Sequence, residues 1–245
     1  MLKVCLIVPC YNESERLDQQ SFLSFVKDYS NIHFLFVNDG SKDDTESLIN
    51  SLATEHPNIK AVSVPQNGGK AEAVRFGVHY LLESNVNEFD FVGFYDCDQA
   101  TPLSEVVTSV QYLQTHTHFR MLMGMRLKRL GSKVNRDIKR HYLGRVFATF
   151  VSLTLSLPTY DTQCGYKLLH RDLLKVAFAE QFSSSWFFDV EILFRLKNKF
   201  GEDFVNTKVY EYPLFGWEEV GDSRIKLKDY LTAPFELLKI RRKYH

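Results

Sequence analysis

Through the first half of the chain, short unbroken apolar runs alternate with longer stretches in which apolar residues recur every three or four positions. The runs at 4–8, 32–37, 61–64, 89–95 and 121–123 have the length and the β-branched or aromatic content of strands buried on both faces. The intervals 17–29, 44–52, 71–82 and 106–113 carry helical spacing. Regular alternation of the two predicts an open, mostly parallel sheet with helices on both faces. In such a sheet the loops at the carboxyl ends of the strands gather on one edge, where ligands bind.

Those loops hold much of the polar punctuation. Pro9-Cys10-Tyr11-Asn12-Glu13 follows the first run, Asn38-Asp39-Gly40-Ser41 the second, Asn67-Gly68-Gly69-Lys70 the third and Asp96-Cys97-Asp98 the fourth. Gly40 suits a left-handed turn, and Ser41 with Asp44 has the spacing of a capping box. Gly68 and Gly69, ahead of Lys70 and a helix start, would let backbone N–H groups approach a phosphate, although two glycines before a helix commonly make only a turn. Thr101 is expected to cap the next helix, with Pro102 at its first position. One residue separates Asp96 from Asp98. A chain that turns out of the strand there can bring both carboxylates onto one hard cation, Mg2+ or Mn2+, which takes oxygen ligands. Taken alone, two nearby aspartates are more often solvated loop charges; their place at the end of a strand favours the metal.

With 245 residues, 44% of them hydrophobic and 24% charged, the chain can bury a substantial core and is too apolar for disorder. Lys plus Arg and Asp plus Glu both number 30, so the molecule as a whole is not built to sit on nucleic acid. The charge is nonetheless uneven. Eight basic residues, at 126, 128, 129, 133, 136, 139, 140 and 145, share one stretch with a single acid, Asp137. The apolar segment 146–157 that follows is far short of the roughly 20 residues a spanning helix needs, so no transmembrane helix is expected. A basic stretch joined to an aromatic, leucine-rich helix fits an element lying in a membrane interface, or else a core helix behind a solvated loop. Cys5, Cys10, Cys97 and Cys164 lack C-x-x-C spacing and read as reduced thiols of a cytoplasmic protein, and no signal peptide is seen.

In their order and spacing, Pro9-x-Tyr11-Asn12-Glu13, Asn38-Asp39-Gly40-Ser41, Asn67-Gly68-Gly69-Lys70, Asp96-x-Asp98 and Gly124-x-Arg126 resemble the family-2 inverting glycosyltransferases of the GT-A fold. Two later motifs, Asp161-Thr162-Gln163-Cys164-Gly165-Tyr166-Lys167 and Trp186 with Phe188-Asp189-Val190-Glu191, look most like the dolichyl-phosphate glucosyltransferases and their bacterial polyprenyl-phosphate relatives. The sequence departs from that pattern at Met125, where Ser is usual, at Gln99-Ala100, where the glucosyl enzymes have Gly-Ala, and at Arg224, where Lys is usual.

The resemblance implies a Rossmann-like GT-A domain over 1–222, with a nucleotide-sugar half at 1–125 and an acceptor half at 126–222, and a basic, amphipathic helical tail at 223–245. It places Pro9, Tyr11 and Glu13 around the nucleoside, Asp39 at the base, Lys70 at the pyrophosphate, and Asp96 and Asp98 on a Mg2+ or Mn2+ that bridges the two phosphates. A carboxylate accepts a ring N–H, so Asp39 suits uracil, thymine or guanine. Asn-Asp-Gly-Ser is equally a turn in which the aspartate bonds its own backbone. Arg126, Arg140 and Arg224 would clamp an acceptor phosphate. Asp161, Asp189 and Glu191 would position the acceptor or hold the second half of the site together.

The activity so implied is inverting transfer of a hexose, glucose from UDP-glucose, onto a polyprenyl phosphate, by a protein held peripherally on the inner face of the cytoplasmic membrane. A family-2 enzyme acting on a sugar hydroxyl in glycan, capsule or glycolipid assembly is the alternative, as is a polyprenyl-phosphate mannosyltransferase using GDP-mannose. Nucleic acid is not an expected partner. A non-catalytic nucleotide-sugar sensor is disfavoured by the intact Asp39, Asp96, Asp98 and Arg126.

Overall fold

The computed structural model describes residues 1–135, 138–220 and 227–244, with the side chains of 138–143 and 227–231 outside the described set. Each apolar run of the first half forms a strand: β1 (Val4–Cys10), β2 (Ile32–Asp39), β3 (Ile59–Val64), β4 (Phe91–Phe94) and β5 (Met121–Met125). Helices α1 (Gln19–Asp28), α2 (Thr45–Glu55), α3 (Lys70–Ser84) and α4 (Leu103–Thr115) fill the intervals. The second half adds β6 (Lys133–Asn135), α5 (Ile138–Leu155), β7 (Lys167–His170), α6 (Arg171–Ala177), α7 (Phe188–Phe200), α8 (Glu202–Lys208), β8 (Val209–Pro213), β9 (Gly216–Glu218) and α9 (Leu227–Tyr244).

Seven strands form one sheet in the order β3-β2-β1-β4-β7-β5-β8. All its neighbouring pairs are parallel except those of β7, which runs antiparallel to both β4 and β5. Two cores result, because successive residues of a buried strand face opposite ways. Val4, Leu6, Val8, Phe34 and Phe36 meet α1, α2 and α4 on one face, while Cys5, Ile7, Leu35 and Val37 meet α3 and α7 on the other. Phe22 of α1 sets its ring edge-on to Phe34 and Phe36, with centroids 5.0 Å apart in both cases. Each such side chain contributes about 1.5–3 kcal/mol by leaving water. The C-terminal helix belongs to the same packing: Ala233, Leu237 and Ile240 of α9 are buried in the second core.

Two expected caps take another form. Pro102 itself is the residue before α4, with no side-chain cap, while the Thr101 carbonyl accepts the Tyr95 hydroxyl. Ser41 does not cap α2; Asp43 does the comparable work, accepting the Thr45 N–H and hydroxyl at 3.1 and 2.6 Å. The Ser41 hydroxyl is instead taken by the Asn12 N–H of the preceding loop. Among the described residues, no helix is long and apolar enough to cross a membrane.

Candidate active site

The loops after β1 and β2 are stitched together. Asn12 N–H donates to Ser41 Oγ, its Oδ1 accepts the Lys42 N–H, and Ser14 donates to Asp43. Gly40 takes the expected left-handed turn, φ 64°, and a Cβ there would stand 2.7 Å from the Asn67 nitrogen. Glu13 is buried, with its N–H on Thr45 Oγ1 at 2.8 Å and its carboxylate 2.6 Å from Arg16. Pro9 and Tyr11 stand half-buried on the same edge. Asp39 is buried, and its two oxygens accept the N–H groups of Gly68 and Gly69, both at 2.8 Å. The amides that the sequence offered to a phosphate are therefore engaged by Asp39. That carboxylate bonds the neighbouring loop, not its own turn. Each of its oxygens has a second lone pair with which to meet a base N–H.

Beyond β4 the chain turns at Gln99, which adopts φ 54°. Asp96 and Asp98 stand on this turn. Lys70, the first residue of α3, is ion-paired with Asp96, and Asp98 Oδ1 accepts the Ala100 N–H at 3.0 Å. Beneath them Lys167 is fully buried, 2.7 Å from Asp189 Oδ1 at the start of α7 and 2.6 Å from the Cys164 carbonyl. Burial and then the charge of Asp96 push the Asp98 pKa up. Burial raises that of Asp189 too, against the pull of Lys167 and Lys70. For Lys70, burial disfavours the charge, but Asp96, Asp189 and Asp98 outweigh it and hold the ammonium protonated.

This donor set fits Mg2+ or Mn2+. Two carboxylates share one turn, and their crowded negative charge is what a divalent cation relieves, with phosphate and water oxygens completing its shell. Among the described residues no three His, Cys, Asp or Glu side chains form a ready-made cage, and these cations seldom use one.

In the second half of the chain, Arg126 just after β5 is gripped by Asp161, Nε to Oδ2 at 2.7 Å and Nη2 to Oδ1 at 2.8 Å, with the guanidinium 5.3 Å from the Trp217 ring. Burial opposes the charge on Arg126, and Asp161 more than restores it. Glu211 of β8 accepts the Asp161 N–H at 2.7 Å and the Tyr160 N–H at 2.8 Å, which fixes the loop that carries both. Arg145 of α5 lies 4.2 Å above the Tyr160 ring. Arg126, Arg145, Phe147, Tyr160, Asp161 and Gln163 line an open cleft here. The Arg140 side chain and all of Arg224 lie outside the described residues. Glu191 is fully buried, where it accepts the N–H groups of Ser183 and Ser184 and the Tyr244 hydroxyl.

A family model, "Glycosyl transferase family 2", matches residues 5–178. The chain belongs to that family. This glycosyltransferase is 30% identical to a dolichyl-phosphate beta-glucosyltransferase of Trichomonas vaginalis, over 96% of its own length and 69% of the relative's. It is 27% identical to the dolichyl-phosphate beta-glucosyltransferase of Saccharomyces cerevisiae, over 98% of its own length and 74% of that protein's. In fold it resembles glucosyl-3-phosphoglycerate synthase of Mycobacterium tuberculosis, crystallised with Mn2+, UDP-glucose and phosphoglyceric acid, at a TM-score of 0.70 and 16% identity over 99% of this chain and 79% of that one. The sheet order and this likeness make the fold GT-A.

Residues to which no motif assigned a role also hold the candidate site together. Lys167 stood inside a quoted motif, and a lysine between Tyr166 and Leu168 in an apolar strand is a signal of buried pairing. Glu211 and Trp217 come from β8 and β9, whose short, aromatic and charged sequences carry no clear period.

Proposed function

We propose that this glycosyltransferase moves glucose from UDP-glucose, with inversion, onto the phosphate of a polyprenyl lipid at the cytoplasmic membrane face. The observation that carries the choice of acceptor is the engagement of its carboxylates. A sugar hydroxyl needs a general base, whereas a phosphate is already anionic near neutral pH. Asp161 is committed to Arg126, the buried Asp189 to Lys167, and Glu191 to two backbone N–H groups and a tyrosine. The relatives named as dolichyl-phosphate glucosyltransferases support the same reading.

In this reading Asp39 orients the base and Lys70 meets the pyrophosphate. Asp96 and Asp98 would hold a divalent cation, which would supply Lewis-acid help to the departing nucleotide diphosphate. Arg126 and the neighbouring arginines, Arg140 and Arg224 among them, present the acceptor phosphate, so that its oxygen attacks the anomeric carbon as the bond to UDP breaks. The cleft adjoins α5, whose Val146, Phe150 and Leu153 are exposed at i, i+4 and i+7. That stripe, with Phe235 and Leu238 exposed on α9, would lie in the lipid interface beside basic Arg145.

Transfer of radiolabelled sugar, with and without polyprenyl phosphate and across UDP-, dTDP- and GDP-sugars, tests the proposal. Label must enter the lipid phosphate from UDP-glucose. Transfer from GDP-mannose instead, or onto acceptors lacking phosphate, would replace it with one of the alternatives.

A further inference from the structure

Gly165 lies directly beneath the Asp96 carboxylate. A Cβ placed on it would stand 1.7 Å from Asp96 Oδ2, 2.2 Å from Cγ and 2.7 Å from Oδ1, all far inside van der Waals contact. Its backbone does not occupy the left-handed region that Gly40, Gly69, Gly131 and Gly201 share. Conformation does not require a glycine here, so space does.

On neither side has the backbone an easy way to give. On the loop side, Cys164 and Tyr166 are fully buried, the Cys164 carbonyl accepts Lys167 Nζ at 2.6 Å, and the Tyr166 carbonyl accepts the Gly124 N–H at 2.9 Å. The Tyr166 hydroxyl is 2.5 Å from Ser109 Oγ, which ties the loop to α4. Before Asp96, the fully buried Tyr95 bonds the Ile7 carbonyl through its N–H at 2.9 Å and the Thr101 carbonyl through its hydroxyl. A methyl group at 165 would therefore turn the Asp96 side chain, the smallest movable part, away from Lys70 and from Asp98.

We propose that Gly165 is a positioning residue for Asp96: a notch without a side chain, built by the acceptor-side loop, that sets the carboxylate where it meets Lys70 and the cation. The same loop carries Asp161, the partner of Arg126. One short segment thus places a group on each side of the reaction. The inference rests on the proposed reading of Asp96 as a metal ligand, and the test separates the two.

Mn2+ binding in the presence of UDP is measured by electron paramagnetic resonance for the wild type and Gly165→Ala. Thermal unfolding without metal is measured for both, for Asp96→Ala and for the double variant. Gly165→Ala is expected to weaken Mn2+ binding by about 10-fold or more, as loss of a ligand's support does. It should also lower the Tm of the wild type while leaving that of Asp96→Ala unchanged, the non-additivity of residues in contact. Unaltered Mn2+ binding, or an equal loss of Tm in both backgrounds, overturns the proposal. Should Gly165→Ala alone not fold, the double variant must fold, since the methyl group then has room; a double variant that also fails overturns it too. A wild type that takes up no Mn2+ with UDP removes the metal reading of Asp96, while the unfolding comparison still decides the notch.

Discussion

Asp98 is subject to two opposed demands. Its pKa is raised by burial and by Asp96, so the ionised form that a cation needs is the form the fold disfavours. A carboxyl group whose folded pKa exceeds its unfolded value of 3.8 gives the fold stability in full below that value and loses it as pH rises through the folded pKa. Asp98→Asn is thus expected to raise the Tm of the metal-free protein at neutral pH, with the gain fading as pH falls toward 3.8. The same change should nearly abolish transfer, as should a chelator; full activity in either case removes the metal from the mechanism. The amide variants Asp161→Asn, Asp189→Asn and Glu191→Gln test the missing general base. With polyprenyl phosphate as acceptor and chemistry limiting, none should remove a rise of rate with pH. A variant that does, with a loss of about 10²- to 10⁴-fold, would identify a base and a hydroxyl acceptor. The D-x-D pair and Gly40 were legible as turn chemistry in neighbouring residues. The partners of Asp39 were not, because Gly68 and Gly69 reach it from the next loop.

Among the elements, α5 and α9 pack on each other and on α7, yet both keep large apolar side chains in solvent. Phe150 is 50% exposed, Leu153 67% and Phe235 74%. Sedimentation with anionic vesicles at low salt should bring the protein down, and added salt should release it, because each basic residue near the surface contributes about 1 kcal/mol. Phe150→Ser with Leu153→Ser should weaken that binding markedly, each side chain withdrawing about 1.5–3 kcal/mol at full burial. Unchanged sedimentation would make the stripe an ordinary helix surface. Glu191 joins α7 to α9 through Tyr244, and Arg195 and Lys243 lie 3.9 and 3.7 Å from it. Glu191→Ala takes the acceptor from the Ser183 and Ser184 N–H groups and the carboxylate from beside the buried Arg195, and is expected to cost about 3–5 kcal/mol in urea unfolding. Little loss would contradict its part in holding the two helices.

Over the whole molecule, the sheet sets chain order aside. β7 is inserted between β4 and β5, antiparallel to both, and brings Lys167 under the D-x-D turn. β8 then adds to the far side of β5, which puts Glu211 opposite Met123 and within reach of Asp161. The cleft beside Arg126 is therefore assembled from segments that stand far apart in sequence. Its two best-fixed groups, Arg126 and Asp161, are 35 residues apart and meet only through this arrangement.

The sequence by itself determined the alternating elements of the first half, the edge on which their loops gather, the family, and the aspartate pair. The family rests on the resemblance of the ordered motifs; local spacing carries the rest, since burial on two faces dictates unbroken apolar runs and turns dictate their glycines and aspartates. Tertiary structure alone decided which charges pair. Asp39 took the glycine amides, Asp161 took Arg126, Asp189 took Lys167, and the Asp96 carboxylate settled over Gly165. Such choices depend on distances across the sheet edge, where a buried charge pairs with whichever opposite charge or N–H the packing brings near.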